Sequence, residues 1–462
     1  MTQTIGEGLD VLRATIDGEV LVPGDGEYDE ARKIWNAAID RRPAVIALCE
    51  SAGDVSVAIR FAVQHGLEIA IRGGAHGVSG KASVDDGLVI DLRKMNSVVV
   101  DPEARRARVG GGALLADLVG AAQEHGLATP CGAVGHTGVG GLTLGGGMGW
   151  LTRKHGLSID NVLSVEIVTA DGQIRRASPE ENDDLFWAVR GGGGNFGVVT
   201  EFEFALHPVG PIIQFGMLFW ELDKGPEVLR MARDLCATLP LEVNVVIGAL
   251  NAPPAPFVPP EHHFVPGYAL ILAGFGSPEE HLGVVESARS RVTPLWDAVT
   301  PLPYMELQLM LDEANRWGQY NYEKGGQLRE LSDDVIHVLT ERVPLKSSPG
   351  SVVLIYKVDG AFSSVADEAT AYAGERTPGF YIFNVAVCET PELLPSDREW
   401  ARGTMAALAP QLVARNYVNA LDEDHSDVRV AFGDAKYERL ARIKGIYDPD
   451  NVFRRNANIR PA

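Results

Sequence analysis

Cysteine is scarce and scattered in this sequence. The 462 residues include only four cysteines, Cys49, Cys131, Cys236 and Cys388, with no CxxC pair and no short framework spacing. Disulfide bonds and a zinc site are therefore not expected, and we predict no metal ligands. The N-terminus has neither the basic start nor the apolar run of a signal peptide. These absences predict a protein of a reducing cytoplasm.

Positive charge is also in short supply. Lysine and arginine number 41 against 62 aspartates and glutamates, so the net charge is -21. Such a chain repels phosphate-rich partners, which argues against nucleic acid and anionic membranes. No segment approaches the ~18 consecutive apolar residues of a membrane helix. At roughly 100–200 residues per domain, the length predicts two to four domains. We expect a monomer or homodimer.

Glycine, in contrast, is abundant and clustered. There are 51 glycines, about 11% of the chain, where roughly 7% is usual. They concentrate at residues 71–80, 110–112, 135–149 and 191–197, mostly between segments with the alternation or apolar runs of short strands. Glycine at a strand-to-loop junction permits a left-handed backbone or a close approach. Any one cluster fits a tight turn, but four together indicate a backbone-lined groove for a long phosphate-bearing cofactor.

Two common nucleotide motifs do not explain these glycines. No GxxxxGK[ST] phosphate loop occurs. Residues 192–197 match GxGxxG formally, but a predicted helix precedes them and a strand follows, the reverse of the order in a Rossmann site. A nicotinamide dinucleotide site of that type is therefore not predicted.

Four ordered segments carry a family resemblance. RGGAHGVSG at 72–80, GVGGLTLGGGMGWLTRKHG at 138–156, DLFWAVRGGGGNFG at 184–197 and YERLARIKGIYDPDNVF at 437–453 span nearly the whole chain. Together they resemble the FAD-linked oxidases of the vanillyl-alcohol oxidase and p-cresol methylhydroxylase (PCMH) superfamily, and the last segment is similar to the berberine bridge enzyme-like members.

The resemblance implies an α+β fold. It has a two-lobed, PCMH-type FAD-binding domain at residues 1–207 and a substrate domain at 208–412, in which helices cover one side of an antiparallel sheet. The C-terminal segment 413–462 is expected to return to the FAD domain. Alternating apolar stretches after residue 208 agree with strands there.

The resemblance also implies which residues hold the cofactor. Backbone amides of the 71–80 loop would bind the pyrophosphate, and residues from 135–149 and 191–199 would line the remainder. The residues assigned to cofactor binding are Arg72, Gly73, Gly74, Ala75, His76, Gly77, Ser79, Val134, Gly138, Gly141, Leu142, Gly145, Gly146, Gly149, Trp150, Gly194, Asn195, Gly197, Val198, Val199 and Asn419.

Covalent attachment of FAD is implied at His76, which matches the family histidine that bonds the flavin 8α-methyl group. A second tether from a cysteine is common in the family. Two alignments compete for it, one using Cys131 and one placing Val134 at the cysteine position. We favour the second because the glycine block that follows is long and ungapped, so we predict a single bond through His76.

The substrate side offers several candidates for catalysis. The segment Tyr417-Val-Asn419 resembles the first three positions of the family's Y-x-N-Y motif, but Ala420 replaces its second tyrosine. Tyr417 could act as the base only if its phenolate were stabilised. Tyr356 and Lys357 adjoin on a predicted strand, so only one of them can face the site. His136 and Thr137 are expected to face the flavin, although His136 could equally serve as a hydrogen-bonding residue.

These residues favour an oxidase that transfers hydride from an alcohol, sugar or secondary-metabolite carbon to FAD, with O2 as the final acceptor and H2O2 as product. A flavin dehydrogenase or an oxygenating biosynthetic enzyme is the alternative within the same class. A flavin-carrying binding protein without turnover is the alternative from another class.

Overall fold

Three larger β-sheets and one two-stranded sheet organise the described part of the chain. The computed structural model describes residues 2–421 and 428–462. Its strands up to residue 211 are β1 (Glu19–Leu21), β2 (Val45–Leu48), β3 (Ile69–Arg72), β4 (Leu88–Asp91), β5 (Val98–Asp101), β6 (Arg106–Gly110), β7 (Leu127–Ala128), β8 (Val162–Val168), β9 (Ile174–Ala177), β10 (Val198–Ala205) and β11 (His207–Pro208). The helices of this part are α1 (Thr2–Thr15), α2 (Tyr28–Ala31), α3 (Ala52–His65), α4 (Leu115–Gln123), α5 (Val139–Gly145), α6 (Thr152–His155) and α7 (Asp183–Val189).

The first sheet has the order β1-β2-β4-β3, and β2, β4 and β3 run parallel. The strand β2, Val-Ile-Ala-Leu, is buried along its whole length, as parallel strands with two covered faces usually are. The helix α3 covers this sheet. Ser51 caps its start by accepting a hydrogen bond from the Asp54 amide at 3.1 Å, and Gly66 ends it in the left-handed region with φ of 65°.

The second sheet is antiparallel, with the order β5-β6-β10-β8-β9. It lies next along the chain, and β7 pairs with β11 beside it. The predicted boundary at residues 207 and 208 falls between this sheet and the third, although the division into independent domains stays a prediction. The third glycine cluster is not simply a loop as expected, because residues 139–145 form α5.

The third sheet has seven antiparallel strands in the order β15-β12-β14-β13-β17-β18-β16. They are β12 (Ile212–Glu221), β13 (Val243–Asn251), β14 (Pro266–Gly274), β15 (Trp296–Pro303), β16 (Tyr320–Leu328), β17 (Val352–Val358) and β18 (Gly379–Cys388). The remaining helices are α8 (Gly225–Cys236), α9 (Pro278–Arg291), α10 (Tyr304–Leu309), α11 (Asp333–Arg342), α12 (Ala361–Ser364), α13 (Leu394–Leu408), α14 (Val428–Phe432) and α15 (Asp434–Tyr447).

The two faces of the third sheet have different partners. Helices α8, α9, α11 and α13 bury one face in an apolar core that includes Val228, Ile355 and Trp400. Residues of the opposite face, such as Tyr356 and Tyr381, belong to a core shared with Phe202 of the second sheet. The α+β class and a sheet with helices on one side are therefore confirmed. None of the helices described here is long and apolar enough to cross a bilayer.

The C-terminal segment is joined to the fourth glycine cluster by a buried lysine. Lys444 on α15 donates from Nζ to the carbonyl oxygens of Asn195 and Phe453 at 2.7 and 2.8 Å, and to Asp448 Oδ2 at 2.7 Å. Both side chains of this ion pair are fully buried. Because a buried ammonium group needs partners in every direction, this one cation fixes three chain segments.

Removing the lysine should be costly. We expect Lys444→Met to lower the free energy of unfolding by about 3–5 kcal/mol, since it leaves the Asp448 carboxylate buried without its cation. Asp434→Ala is the control, because it removes the exposed partner of Arg429 and should cost less than about 1 kcal/mol. Urea denaturation measures both changes, and equal losses would contradict the role given to Lys444.

Candidate active site

One cavity of about 470 Å³ lies between the glycine-rich segments and the free face of the third sheet. This volume is within the range of about 300–1,000 Å³ that is usual for cofactor and substrate sites. The wall on the glycine side comes from residues 73–79, 132–134, 137–144 and 193–199, and the opposite wall from β16, β17, β18 and residues 417–421. Residues 455–457 of the C-terminal segment close one end.

The glycines of the wall leave its backbone open to the cavity. A Cβ atom added at Gly77, Gly141, Gly193 or Gly194 would meet no atom within 4 Å. All four positions line the cavity, so a side chain there would occupy the space itself. Ala75, within the segment 73–79 of the wall, has a left-handed φ of 54°, a conformation that turns successive backbone amides toward one side. The result is a cradle of exposed peptide groups suited to an extended anionic ligand.

Other glycines hold the cradle together. A Cβ added at Gly74 would lie 2.5 Å from the Cα atom of Gly138, so the first and third clusters touch backbone to backbone. Only residues without side chains allow this approach. It places the 71–80 loop directly beside the start of α5.

Most of the residues predicted to bind the cofactor lie on this wall. Those that line the cavity are Gly73, Gly74, Ala75, His76, Gly77, Ser79, Val134, Gly138, Gly141, Leu142, Gly194, Gly197, Val198, Val199 and Asn419. Of the residues predicted for catalysis, Thr137, Tyr356 and Tyr417 also line it. Sequence positions far apart are thereby brought to one site.

Arg72 and Asn195 do not line the cavity, in contrast to the prediction. Arg72 points into the protein, where it donates to the carbonyl of Ala31 and pairs with Asp91 at 3.4 Å. The side-chain amide of Asn195 donates from Nδ2 to the carbonyl oxygens of Gly192 and Ala457 at 2.8 and 3.0 Å. Both side chains satisfy buried backbone groups, and their role is to hold the loops in shape.

The end of the third glycine cluster also departs from the prediction. Trp150 is buried in the core at 2% exposure and is no part of the cavity wall. Gly145 and Gly146 face the side chains of Asn419 and Tyr417, and Gly149 lies against the Cys131 carbonyl. These glycines permit the C-terminal segment to pack closely on α5, so they support the site without lining it.

His76 stands at the cavity wall between two other rings. Trp35 stacks on it with ring centroids 4.3 Å apart and an interplanar angle of 18°. On its other side, His76 Nε2 lies 2.8 Å from His136 Nδ1. Burial, with a smaller contribution from His136, lowers the pKa of His76 to about 3, so its imidazole is neutral.

His136 itself turns away from the cavity, which corrects the expectation that it faces the flavin. Its Nε2 is 3.3 Å from the carbonyl oxygen of Asp312. The Asp312 carboxylate accepts from the Gly135 amide at 2.6 Å and so holds the neighbouring backbone. His136 therefore belongs with the surroundings of His76, as a hydrogen-bonding residue.

Cys131 is buried beneath the wall. Its Sγ atom is 3.6 Å from Gln308 Oε1, and burial raises the pKa of the thiol to about 12. A thiol in this state is a poor nucleophile. Val134, three residues further along the chain, lines the cavity, and Cys131 does not. The geometry agrees with the alignment that sets Val134, and not Cys131, beside the cofactor.

Two tyrosines stand on the opposite wall. The Tyr417 hydroxyl accepts hydrogen bonds from the Gly147 amide at 2.9 Å and from Asn419 Nδ2 at 2.7 Å. Burial nevertheless raises the pKa of Tyr417 to about 12, and burial also raises the pKa of Tyr356. Of the two neighbours on β17, Tyr356 lines the cavity and Lys357 does not. The Lys357 Nζ atom lies over the Phe380 ring, 4.8 Å from the ring centroid. Neither phenol is poised to lose its proton at neutral pH.

Sequence reasoning missed several residues of the wall. Trp35, Glu323, Leu354 and Phe383 all line the cavity. Glu323 lies on β16, a strand that was not predicted from the sequence. The alternation around it, in Tyr320-Asn-Tyr-Glu, was the available signal.

The residues present fit a flavin dinucleotide. The exposed peptide groups of the cradle can receive a pyrophosphate without lysine or arginine, and the cavity continues to an aromatic and apolar wall suited to a flat ring. No group of histidine, cysteine, aspartate or glutamate in the described part of the chain could hold a metal ion. A site of this form defines a flavoprotein.

Comparison with known proteins identifies the class further. Residues 43–178 match the FAD binding domain family, and residues 416–460 match the family described as berberine and berberine like. The (R)-6-hydroxynicotine oxidase of Paenarthrobacter nicotinovorans is 33% identical over 97% of this chain and 97% of its own length. The FAD-linked oxidoreductase pgmH of Aspergillus terreus is 42% identical over 99% and 96%.

A solved structure agrees. That of 6-hydroxy-D-nicotine oxidase from Arthrobacter nicotinovorans superposes with a TM-score of 0.85 at 28% identity, covering 97% of this chain and 98% of that one. The chain belongs to the berberine bridge enzyme-like FAD-linked oxidoreductases of the vanillyl-alcohol oxidase and p-cresol methylhydroxylase superfamily. The family resemblance, the cofactor FAD and the oxidoreductase class are thus confirmed.

Filling the cradle should expel the cofactor. We expect Gly141→Leu to fold but to lose about tenfold or more in FAD affinity, which corresponds to roughly 1.4 kcal/mol, because the leucine occupies ligand space. Gly120→Leu is the matched control, since Gly120 is also a helical glycine with nothing within 4 Å but is no part of the cavity wall. Both substitutions are made in a His76→Ala background, in which FAD is held without a covalent bond and can be removed, and titration of these deflavinated proteins with FAD measures both affinities. Equal affinities would contradict this location of the cofactor.

Proposed function

We propose that the protein is an oxidase that holds FAD covalently through His76 and oxidises an alcohol, sugar or secondary-metabolite substrate, with O2 accepting the electrons and H2O2 as product. The observation that carries this proposal is the position of His76, a neutral imidazole on the wall formed by the glycine cradle. When bound, FAD supplies a hydride acceptor, and its attachment to a histidine makes it a stronger oxidant.

The surroundings of His76 support a nucleophilic ring. A carbonyl oxygen can only accept hydrogen bonds, so the His136 Nε2 beside the Asp312 carbonyl carries the proton. In the tautomer that carries this proton, His136 Nδ1 is the acceptor and the His76 Nε2 donates to it. This assignment follows from the hydrogen-bond network. It leaves a lone pair on His76 Nδ1, as attack on the 8α-methyl carbon requires.

The ring is also held in place. Trp35 stacks on one face of His76 and is fixed in turn by a hydrogen bond from its Nε1 to the Asn315 carbonyl at 2.5 Å. An imidazole that cannot rotate is prepared to form one bond in one direction. The same stacking keeps water from that face of the ring.

The neighbourhood of Val134 and Thr137 supports the use of oxygen. Both side chains line the cavity beside the glycine cradle. In the place where many family members carry a cysteine tether, Val134 provides a small apolar surface. Such a surface leaves room for O2 and offers no thiol for a second bond.

Covalent attachment is tested by acid precipitation. We expect the purified protein to be yellow and its flavin to stay with the precipitated polypeptide. In His76→Ala the flavin should appear in the supernatant, because among the described residues no cysteine and no second histidine lines the cavity. The fraction of flavin in each phase is measured by absorbance.

Cys131→Ser is the matched control for this experiment. The buried Cys131 thiol contributes no bond in the proposed arrangement, so the variant should retain its flavin in the precipitate. Release of flavin from Cys131→Ser, or retention in His76→Ala, would contradict attachment through His76.

The oxidase assignment is tested by oxygen consumption. With any compound that bleaches the flavin, we expect one H2O2 formed for each O2 consumed, measured with an oxygen electrode and a peroxidase-coupled dye. Turnover that needs an added acceptor such as ferricyanide would instead indicate a dehydrogenase. A flavin that no compound reduces would indicate a binding protein.

A further inference from the structure

Glu323 places a carboxyl group on the substrate side of the cavity. It lies on β16, opposite Val385 of β18 in the antiparallel register, and both side chains line the cavity. The next residues on this face are Phe383 and Leu354 of adjacent strands. Glu323 is thus the acidic residue of a sheet surface whose other cavity-lining side chains are Leu354, Tyr356, Phe383 and Val385.

The carboxyl group of Glu323 has no partner among the described residues. No cation pairs with it and no donor hydrogen-bonds to it, whereas the buried carboxylates elsewhere in the described residues accept hydrogen bonds and some are also paired with a cation. Asp448 and Asp160, for example, are paired with Lys444 and Arg376. A carboxyl group that is desolvated and has no partner is unfavourable for stability, which points to a function.

The titratable groups that face Glu323 are phenols. Tyr356 of β17, Tyr381 of β18 and Tyr417 of the C-terminal segment all interact with its charge, and the pKa of each is raised by burial. The other charged or basic residues of the cavity wall are His76, Lys81 and Arg455, which belong to the glycine cradle and the C-terminal segment. The phenols on the sheet side keep their protons at neutral pH, and the basic residues lie on the opposite wall. Neither set supplies a base on the sheet side.

The remainder of the sheet side indicates what kind of molecule fits. Its apolar part is formed by Leu311, Leu354, Phe383, Val385, Val418 and Leu421. Of the polar side chains beside Glu323, Tyr417 and Asn419 are already hydrogen-bonded to each other and to the backbone of residues 142–147, which leaves Tyr356. A carbohydrate exposes a hydroxyl on almost every carbon and needs a comparable number of partners, which this wall does not offer. An apolar molecule with a single polar group matches it.

We propose that Glu323 is the catalytic base of this enzyme, and that the substrate is a mainly apolar molecule with one hydroxyl or amino group on the carbon that is oxidised. The proposal rests on the oxidase function proposed above and names the substrate class of that same site. It assigns the proton transfer to Glu323 on β16, and not to Tyr417, the candidate that the sequence suggested.

The step balances in atoms and electrons. The O–H or N–H proton of the substrate moves to a Glu323 oxygen, and the C–H bond on the same carbon breaks with its electron pair leaving as hydride to the bound FAD. A C=O or C=N double bond forms in the product. O2 then takes the two electrons and two protons, one of them from Glu323, and becomes H2O2.

The pH dependence follows from the desolvation of the carboxyl group. Burial raises the pKa of Glu323 to about 7. Because only the ionised form accepts a proton, the rate of flavin reduction should rise with pH through about 7 and level off above it.

The first test is independent of substrate. Infrared difference spectra of the holoenzyme, recorded between about pH 5 and pH 9, should contain a protonated-carboxyl band that titrates near neutrality and is missing from Glu323→Gln. Glu323→Asp should keep such a band. Identical spectra for wild type and Glu323→Gln would overturn the assignment of an unpaired, titrating carboxyl group.

The second test uses three probes, benzyl alcohol, N-methylbenzylamine and cellobiose, mixed with the holoenzyme without oxygen. We expect the alcohol or the amine to bleach the flavin and cellobiose to leave it oxidised. Glu323→Gln should slow bleaching by about 100-fold or more, with partial recovery in Glu323→Asp. Tyr356→Phe, which removes a phenol and no carboxyl group, should keep the pH step.

Bleaching by cellobiose alone, or by none of the probes, would overturn the substrate class. A Glu323→Gln variant that retains its flavin and bleaches at the wild-type rate would overturn the base. Both results leave the oxidase function standing if His76 still holds the flavin and peroxide is still formed. Loss of these two properties in the wild type would instead overturn the proposed function.

Discussion

The contact between Gly74 and Gly138 is the constraint on which the site depends. Their backbones lie so close that a Cβ atom at either position would overlap the backbone of the other residue. This approach brings a loop that follows β3 against the start of α5, two segments more than 60 residues apart in the sequence. His76 and Thr137 are each within two residues of the contact, and the cradle of exposed peptide groups extends from it in both directions. An acidic protein can therefore bind a dinucleotide, because peptide dipoles supply the positive field that lysines would otherwise provide.

The third part of the cradle depends on the C-terminus. Lys444 binds the carbonyl of Asn195, and the Asn195 amide in turn binds the carbonyl of Ala457. Asn456 Nδ2 donates to the Gly194 carbonyl at 3.0 Å, so residues of both segments that line the cavity are joined to each other. The segment that closes the cavity is thus part of the same polar network as the loop that forms it. This explains why a motif so far from the other glycine clusters in sequence accompanies them.

Sequence reasoning located the cradle well because glycine marks backbone geometry directly. The 71–80 loop, Val134 and residues 194–199 lie where the clusters indicated, and the alternation of β17 correctly requires that only one of Tyr356 and Lys357 face inward. It was less reliable for side chains. Arg72, Asn195 and Trp150 stand in the same motifs, but they bind backbone groups or fill the core, and sequence spacing cannot distinguish a residue that lines a cavity from one that supports it. Glu323 was missed for another reason. Its strand pairs only with β18, more than 50 residues later, and such long-range pairing leaves little local signal.

Burial on the sheet side affects the two candidate bases, the phenol of Tyr417 and the carboxyl group of Glu323, with different consequences at neutral pH. Tyr417 receives two hydrogen bonds that stabilise its phenolate. Burial raises the pKa of Tyr417 by more than these bonds lower it, so the phenol keeps its proton at neutral pH. Glu323 is also desolvated, but a carboxyl group starts from an ordinary pKa of 4.5, so the same physical effect brings it to about 7. Since its pKa in the folded protein lies above that in the unfolded chain, stability falls as the pH rises from about 4.5 to 7 and is constant beyond, by roughly 3 kcal/mol in total. Burial in the same wall thus keeps the phenol protonated and brings the pKa of the carboxyl group near neutral pH. The loss of stability accompanies a base whose pKa matches neutral pH.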